Sequence, residues 1–110
     1  MSETVLTRED QGRTIDVSVG NALSLWLDES PTTGYAWVDR STGPSLALAN
    51  SEFLLDGAGA VGSGGRRCFR YSVLEPGTAS VRLTLQRAWE TDTPPADEFS
   101  VTVQARPAAR

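Results

Sequence analysis

Hydrophobic and polar residues alternate along most of the chain with a period of two. The alternation covers residues 14–19, 22–27, 68–73, 80–86 and 99–104. Each segment presents one apolar and one polar face, which is typical of antiparallel sheets that cover a single shared core. No segment of ten or more residues shows the 3.6-residue period of an amphipathic helix. The pattern therefore predicts an all-β fold.

Shorter apolar runs at residues 35–39 and 51–55 bring the predicted strands to seven, and residues 4–8 could add an edge strand paired with the second strand. Seven to eight short strands in 110 residues are typical of an immunoglobulin-like antiparallel β-sandwich. Trp37 lies where such folds place a core tryptophan, so we expect it to be buried. The length leaves room for one core, so we expect a single domain over residues 1–110.

The connections between strands are divided unequally between the two ends of the predicted sandwich. If each strand crosses the whole sandwich, the connections after strands two, four and six leave at one end, at residues 28–34, 56–66 and 87–97. Two connections at the opposite end are tight turns, Gly20-Asn21 and Pro76-Gly77. Loops held side by side on a rigid scaffold are where binding residues concentrate. We therefore expect the binding site at the end with the three longer loops.

The three loops have unusual compositions. In residues 30–35, a proline and a glycine flank two threonines, which predicts a preorganised turn. Residues 57–65 are mostly glycine and expose backbone that another chain can approach closely. In the third loop Trp89 follows the end of a strand, where a tryptophan is a candidate interface anchor.

Each loop also has an ordinary interpretation. The first could be a common turn, the second a flexible linker, and Trp89 could fold back over the sandwich end. The second loop contains the spacing GxGxxG from Gly57 to Gly62, but a strand follows it instead of a helix, so a dinucleotide site is not predicted. Three such features at one end favour a binding function more than any one of them does.

Composition excludes most catalytic chemistry. The chain has no histidine and one cysteine, Cys68, which excludes imidazole-dependent hydrolysis, an internal disulfide and a paired-cysteine metal site. Ten arginines against fourteen acidic residues give a net charge of −4, so we expect no nucleic-acid partner. We predict a binding protein with no cofactor, no metal and no enzymatic activity.

No segment approaches the roughly twenty apolar residues of a membrane helix, and the first fourteen residues do not have the pattern of a signal peptide. We therefore expect no membrane partner and a cytoplasmic location, or a periplasmic or secreted one if a leader has been removed. We also expect a monomer.

In order and spacing, the three loops resemble those of the chagasin family of cysteine-protease inhibitors, which contain Asn-Pro-Thr-Thr-Gly, Gly-x-Gly-Gly and Arg-Pro-Trp. The similarity extends over essentially the whole chain. The matching residues are Ser30, Pro31, Thr32, Thr33 and Gly34, then Gly62, Ser63, Gly64 and Gly65, then Arg87, Ala88 and Trp89.

The resemblance implies a reversible, non-covalent inhibitor that occludes the active-site cleft of papain-like cysteine proteases. Pro31 to Gly34 would lie over the catalytic cysteine and histidine of the enzyme, and the neighbouring Ser30 and Tyr35 would belong to the same protease-binding surface. Gly62, Gly64 and Gly65 would pair through their backbone on one side of the cleft, and Trp89 would stack on the other side. The alternative is an immunoglobulin-like adhesion or carbohydrate-binding module without inhibitory activity.

Two departures from the family pattern predict weaker affinity or a different enzyme preference. Ser30 replaces asparagine, and Ala88 replaces a proline whose loss frees one φ angle. The physiological target is not indicated.

Several residues beside the three loop motifs or elsewhere on the strands have open roles. Arg66, Arg67 and Arg70 could steer the chain toward an acidic enzyme surface, although solvation of a strand's polar face is favoured. Cys68 is expected to be partly exposed, on the face opposite Phe69. Trp26 could cover the outer surface of the sheet or mark a second contact.

Overall fold

The computed structural model describes residues 3–30, 33–55, 64–89 and 92–108. Within these ranges the chain forms eight β-strands and one short 3-10 helix, Arg8–Asp10. The strands, in chain order, are β1 Glu3–Leu6, β2 Thr14–Ser18, β3 Ala22–Glu29, β4 Tyr35–Asp39, β5 Leu46–Leu55, β6 Gly65–Val73, β7 Gly77–Arg87 and β8 Asp97–Arg106.

Two four-stranded sheets make up the fold. One has the order β1-β3-β6-β5 and the other β2-β8-β7-β4. β1 pairs with β3 and β2 with β8 in parallel, whereas the other pairs are antiparallel. The predicted β-sandwich is confirmed. The extra edge strand also pairs as expected with the 23–27 segment, but it ends at Leu6 because Arg8–Asp10 turn into the 3-10 helix.

The core lies between the sheets and is formed by the inward positions of the alternating strands. Its buried residues come from seven strands. The largest contributions are Leu23, Leu25 and Leu27 from β3, Phe69, Tyr71 and Val73 from β6, Val81 and Leu83 from β7, and Phe99, Val101 and Val103 from β8. Trp37 of β4 is buried among them, as predicted, and its indole Nε1 donates a hydrogen bond to the Asp28 carbonyl at 2.8 Å.

A polar cluster links the two sheets at the end of β4 that lies away from Tyr35. The Tyr71 hydroxyl donates to Asp39 Oδ1 at 2.8 Å, and the Ser41 hydroxyl donates to the same oxygen at 2.6 Å. Ser41 Oγ in turn accepts a hydrogen bond from the Arg82 amide at 3.1 Å. Burial raises the pKa of Tyr71, so the hydroxyl stays protonated and remains a donor.

The expectation that Cys68 is partly exposed is wrong, because its residue surface is 0 % exposed. It does lie on the face of β6 opposite Phe69, but β6 is a central strand, and Cys68 is flanked by Trp26 of β3 and Glu52 of β5. A small thiol between larger side chains is covered on the outer face of a sheet as well as on the inner one. Desolvation raises the pKa of this thiol.

Trp26 is half-buried on this outer face, and the Arg66 guanidinium lies 5.5 Å from its ring centroid. Both residues therefore cover the outer surface of the sheet, which was one of the two roles expected for Trp26.

Within the described residues, none of the helical segments has the length and apolar composition that crossing a bilayer requires. The same part of the chain brings no three His, Cys, Asp or Glu side chains together as metal ligands.

Candidate functional site

The described ends of the three predicted loops lie at the same end of the sandwich, where those of the first loop contact those of the other two. A Cβ atom at Gly64 would lie 3.3 Å from Ser30 Oγ, so the second loop packs against the first. A Cβ atom at Gly34 would lie 2.7 Å from Cη2 of Trp89, so the third loop packs against the other end of the first loop. Ser30 and Gly34, at the two ends of the first loop, therefore lie against described residues of the second and third loops.

Local hydrogen bonds close the first loop at its base. The Thr33 amide and the Thr33 hydroxyl both donate to the Ser30 carbonyl, at 3.2 and 2.7 Å, and the Tyr35 amide donates to Thr33 Oγ1 at 3.3 Å. Gly34 has φ +79°, a conformation that glycine adopts without the strain other residues meet. The Thr33 hydroxyl proton is thus used inside the loop, where it shapes the turn. Pro31 and Thr32 lie outside the described residues.

Trp89 is held in an exposed position. It is 69 % exposed, and its ring packs over the Cα of Gly34. The Arg87 guanidinium lies 4.3 Å from the Tyr35 ring centroid and 5.7 Å from that of Trp89, and its Nε donates to the Thr33 carbonyl at 3.3 Å. Arg87 therefore joins the third loop to the end of the first. Trp89 is not folded into the core.

Ala88 is exposed between Arg87 and Trp89. This is the position where the family motif has proline.

The two described glycines of the second loop differ in their surroundings. Gly64 is partly exposed beside Ser30. Gly65 is the first residue of β6, is buried and is paired with Glu29 and Leu55. A Cβ there would clash with the Leu54 carbonyl oxygen and the Phe53 ring, so close packing of the sheet already requires glycine at this position. Gly62 lies outside the described residues.

A largely buried ion pair lies next to Ser30 and Gly65, and the sequence pattern alone does not predict it. The Glu29 side chain is 3 % exposed, and its Oε2 accepts hydrogen bonds from Arg67 Nη2 at 2.9 Å and Nε at 3.2 Å. Glu29 Oε1 accepts a hydrogen bond from the Trp37 amide at 3.0 Å. Phe53 covers the other partner, with its ring centroid 5.5 Å from the Arg67 guanidinium.

The expectation that Arg67 belongs to a solvated face is therefore wrong. Arg67 continues the inward series of Phe69 and Tyr71, just as Glu29 continues that of Leu27, and this parity was the signal that could have found the pair. Arg66 and Arg70 do lie on the outer face, where Arg70 pairs with the exposed Glu3 at 3.1 Å.

Comparison with known proteins decides the family. The sequence profile described as "Chagasin family peptidase inhibitor I42" matches residues 16–103, which is most of the chain. The chain belongs to the chagasin family of peptidase inhibitors.

Individual relatives agree with this assignment. Chagasin from Trypanosoma cruzi is 29 % identical over 105 residues, which cover 91 % of this chain and 96 % of that protein. The crystal structure of the cysteine protease inhibitor EhICP2 from Entamoeba histolytica superimposes with a TM-score of 0.88 at 25 % identity, covering 96 % of this chain and 97 % of that one. PbICP-C, solved in complex with falcipain-2, has the same fold at 18 % identity, with a TM-score of 0.66 and coverage of 94 % and 99 %.

These matches confirm the prediction of a β-sandwich inhibitor of cysteine proteases that was based on the three loop motifs. The family motifs fall on the connections β3–β4, β5–β6 and β7–β8, and the described part of the first of these contacts the described parts of the other two. The Glu29–Arg67 pair lies at the base of two of these connections, next to Ser30 and Gly65.

Proposed function

We propose that this chain inhibits papain-like cysteine proteases reversibly, by filling the active-site cleft with the three loops at one end of the sandwich. The observation that supports this most directly is the contact of the first loop with both of the others, through Gly64 on one side and Trp89 on the other. Such an arrangement forms one continuous surface. Protease–inhibitor complexes typically bury about 1,600 Å² in total, which requires several loops acting together.

The loops have different roles in this proposal. Ser30, Thr33, Gly34 and Tyr35, with Pro31 and Thr32 between them, lie over the catalytic cysteine and histidine of the enzyme. The closed turn supports this role, because a backbone held by two hydrogen bonds to the Ser30 carbonyl resists the extended alignment that attack on a peptide bond needs. The loop therefore blocks the cleft without being cleaved.

The flanking loops make the lateral contacts. Gly64, together with Gly62, offers backbone groups for pairing with the enzyme along one side of the cleft. On the other side the exposed Trp89 ring stacks on apolar or aromatic groups. Arg87 orients that ring, and Ala88 lies at the edge of the contact. Gly65 supports the second loop from below, where packing leaves no space for a side chain.

We further propose that the chain acts without catalysis of its own. The sequence has no histidine, and its single cysteine is Cys68, which is buried and whose pKa is raised. A protonated, inaccessible thiol is a poor nucleophile.

Titration of the purified chain against papain and a cathepsin, with a fluorogenic peptide substrate, tests the proposal. We expect one-to-one inhibition that is reversed by dilution, with the chain recovered at its original mass. The matched control is Leu74→Ser, which changes an exposed apolar residue near the Pro76-Gly77 turn and should leave inhibition unchanged.

Absence of inhibition by the folded chain at micromolar concentration would refute the proposal. Glycan binding that is lost on substitution of Trp26 or Trp89 would instead support the carbohydrate-binding alternative.

A further inference from the structure

We propose that Glu29 and Arg67 are positioning residues of the inhibitory site. Their buried ion pair fixes the first loop relative to the second in the free chain, and it thereby sets the rate at which the chain associates with a protease. The inference rests on the proposed function, because it assigns a role in presenting the same loops.

The position of the pair in the chain gives the first argument. Glu29 is the last residue of β3 and directly precedes Ser30, while Arg67 is two residues after Gly65 in β6. Trp37 is in β4, three residues after Gly34. One carboxylate therefore binds both strands that carry the first loop and a strand that carries the second.

The chemistry of the pair gives the second argument. Glu29 uses both oxygens: Oε2 accepts two hydrogen bonds from the Arg67 guanidinium, and Oε1 accepts from the Trp37 amide and, at 3.4 Å, from Arg67 Nε. Two hydrogen bonds from one planar guanidinium to one carboxylate restrict orientation as well as distance. Since apolar residues of similar volume often stabilise a protein as well as a buried ion pair does, what distinguishes this pair is its directional geometry.

The surroundings of the pair agree with a fixed geometry. The Glu29 side chain is 3 % exposed and that of Arg67 is 26 % exposed, so solvent competes little for the carboxylate. The Phe53 ring lies against the guanidinium. Without Arg67, the buried Glu29 carboxylate would keep the Trp37 amide as its donor among the contacts described above. An incompletely compensated buried charge is unfavourable, so the strand ends would tend to rearrange.

A positioning role has a distinct kinetic consequence. If only a fraction of the free chains has the loops correctly placed, the apparent affinity falls by that fraction. The bound complex keeps the same contacts, so the loss appears in the association rate constant. A residue that contacts the enzyme directly acts mainly on the dissociation rate constant instead.

The test uses four variants and stopped-flow or surface-plasmon measurements with papain. Arg67→Met keeps an unbranched side chain against Phe53 but removes the guanidinium. The double variant Glu29→Gln/Arg67→Met also removes the buried charge, while the new amide oxygen at position 29 can still accept from the Trp37 amide. Tyr71→Phe is the destabilised control, since it loses the hydrogen bond to Asp39 far from the loops. Trp89→Ala is the comparator for direct contact.

We expect Arg67→Met to lower the Tm by about 10 °C and the association rate constant by about tenfold. The double variant should recover most of the Tm, while its association rate constant stays about tenfold low. Tyr71→Phe should lower the Tm by about 5 °C and leave both rate constants unchanged.

Recovery of the association rate together with the Tm in the double variant would overturn the inference, because the pair would then only stabilise the fold. A change confined to the dissociation rate would also overturn it, since Arg67 would then contact the enzyme. A wild-type chain that does not inhibit papain refutes the proposed function itself, and that outcome is visible before any variant is measured.

Discussion

Replacement of Trp89 by alanine should weaken inhibition more than any other single truncation in the described part of the three loops. Trp89 is 69 % exposed in the free chain. A fully buried aromatic side chain of this kind removes roughly 150–250 Å² from water, so burial of the exposed part removes about 100–170 Å². At about 25 cal/mol per Å², that burial contributes about 3–4 kcal/mol to binding, which corresponds to an inhibition constant about 100- to 1,000-fold higher for Trp89→Ala.

The assay is the inhibition constant against papain, measured by competition with a fluorogenic substrate, together with a thermal melt of each variant. The melting temperature of Trp89→Ala should change little, because most of the ring is already in solvent. The loss should appear mainly in the dissociation rate constant, as expected for a direct contact.

Trp26→Phe is the matched control, because Trp26 lies on the outer face of β3 and packs with Arg66 outside the three loops. It should leave the inhibition constant within about threefold, a change of less than about 0.7 kcal/mol. If Trp89→Ala also stays within that limit, the reasoning that places Trp89 in the interface is refuted.

Three further substitutions test other parts of the structure. Gly34→Ala puts a Cβ 2.7 Å from the Trp89 ring at φ +79°, so it should cost about 1–2 kcal/mol of stability and weaken inhibition about tenfold or more, as measured by melting and titration. Ala88→Pro restores the family proline and should tighten inhibition about two- to fivefold; an unchanged constant would show that the freed φ angle has no effect on binding. The hydrogen bond from Arg8 lowers the pKa of Asp97. A carboxyl group whose pKa is lowered in the folded state stabilises the fold at pH values above its ordinary pKa of about 3.9, and this stabilisation is lost as the pH falls through the folded-state pKa. Arg8→Ala should therefore cost about a few tenths of a kcal/mol at pH 7, because both side chains are well exposed, and the difference in urea unfolding should vanish at strongly acidic pH; a difference that does not depend on pH would contradict the pairing.

The strands with strict alternation could be predicted from the sequence because their inward positions are apolar over residues 23–27 in β3 and 99–105 in β8. The period of two ends only at a charged residue at one end of each strand, Glu29 in β3 and Asp97 in β8, and the predicted and observed segments agree to within a few residues. Because each strand crosses the sandwich once, counting the strands was enough to predict the end of the sandwich at which each loop leaves. The part of β5 before Ser51 was missed, since a register shift between Leu48 and Asn50 breaks the alternation that predicts a strand.

Side-chain environments were harder to predict, since they depend on strands distant in sequence. Arg67 was assigned to a polar face by its residue type, although its parity places it inward with Phe69 and Tyr71. The inward position is tolerable only because Glu29, 38 residues earlier, supplies a buried carboxylate. Cys68 was misjudged for a related reason, since the strands on both sides of β6 bring Trp26 and Glu52 next to it.

The contact between Gly34 and Trp89 predicts that substitutions at these two positions are not additive. In the wild-type background Gly34→Ala forces the indole to move, because the new Cβ overlaps Cη2 of the ring. In a Trp89→Ala background the ring is absent, so Gly34→Ala should add less to the loss of inhibition than it does in the wild-type background. Gly34→Ala should lower the melting temperature in both backgrounds, because the strain comes from the positive φ of the backbone and does not depend on the Trp89 ring. A double-mutant cycle measures both quantities, and additive inhibition losses would mean that the contact between Gly34 and Trp89 does not affect binding.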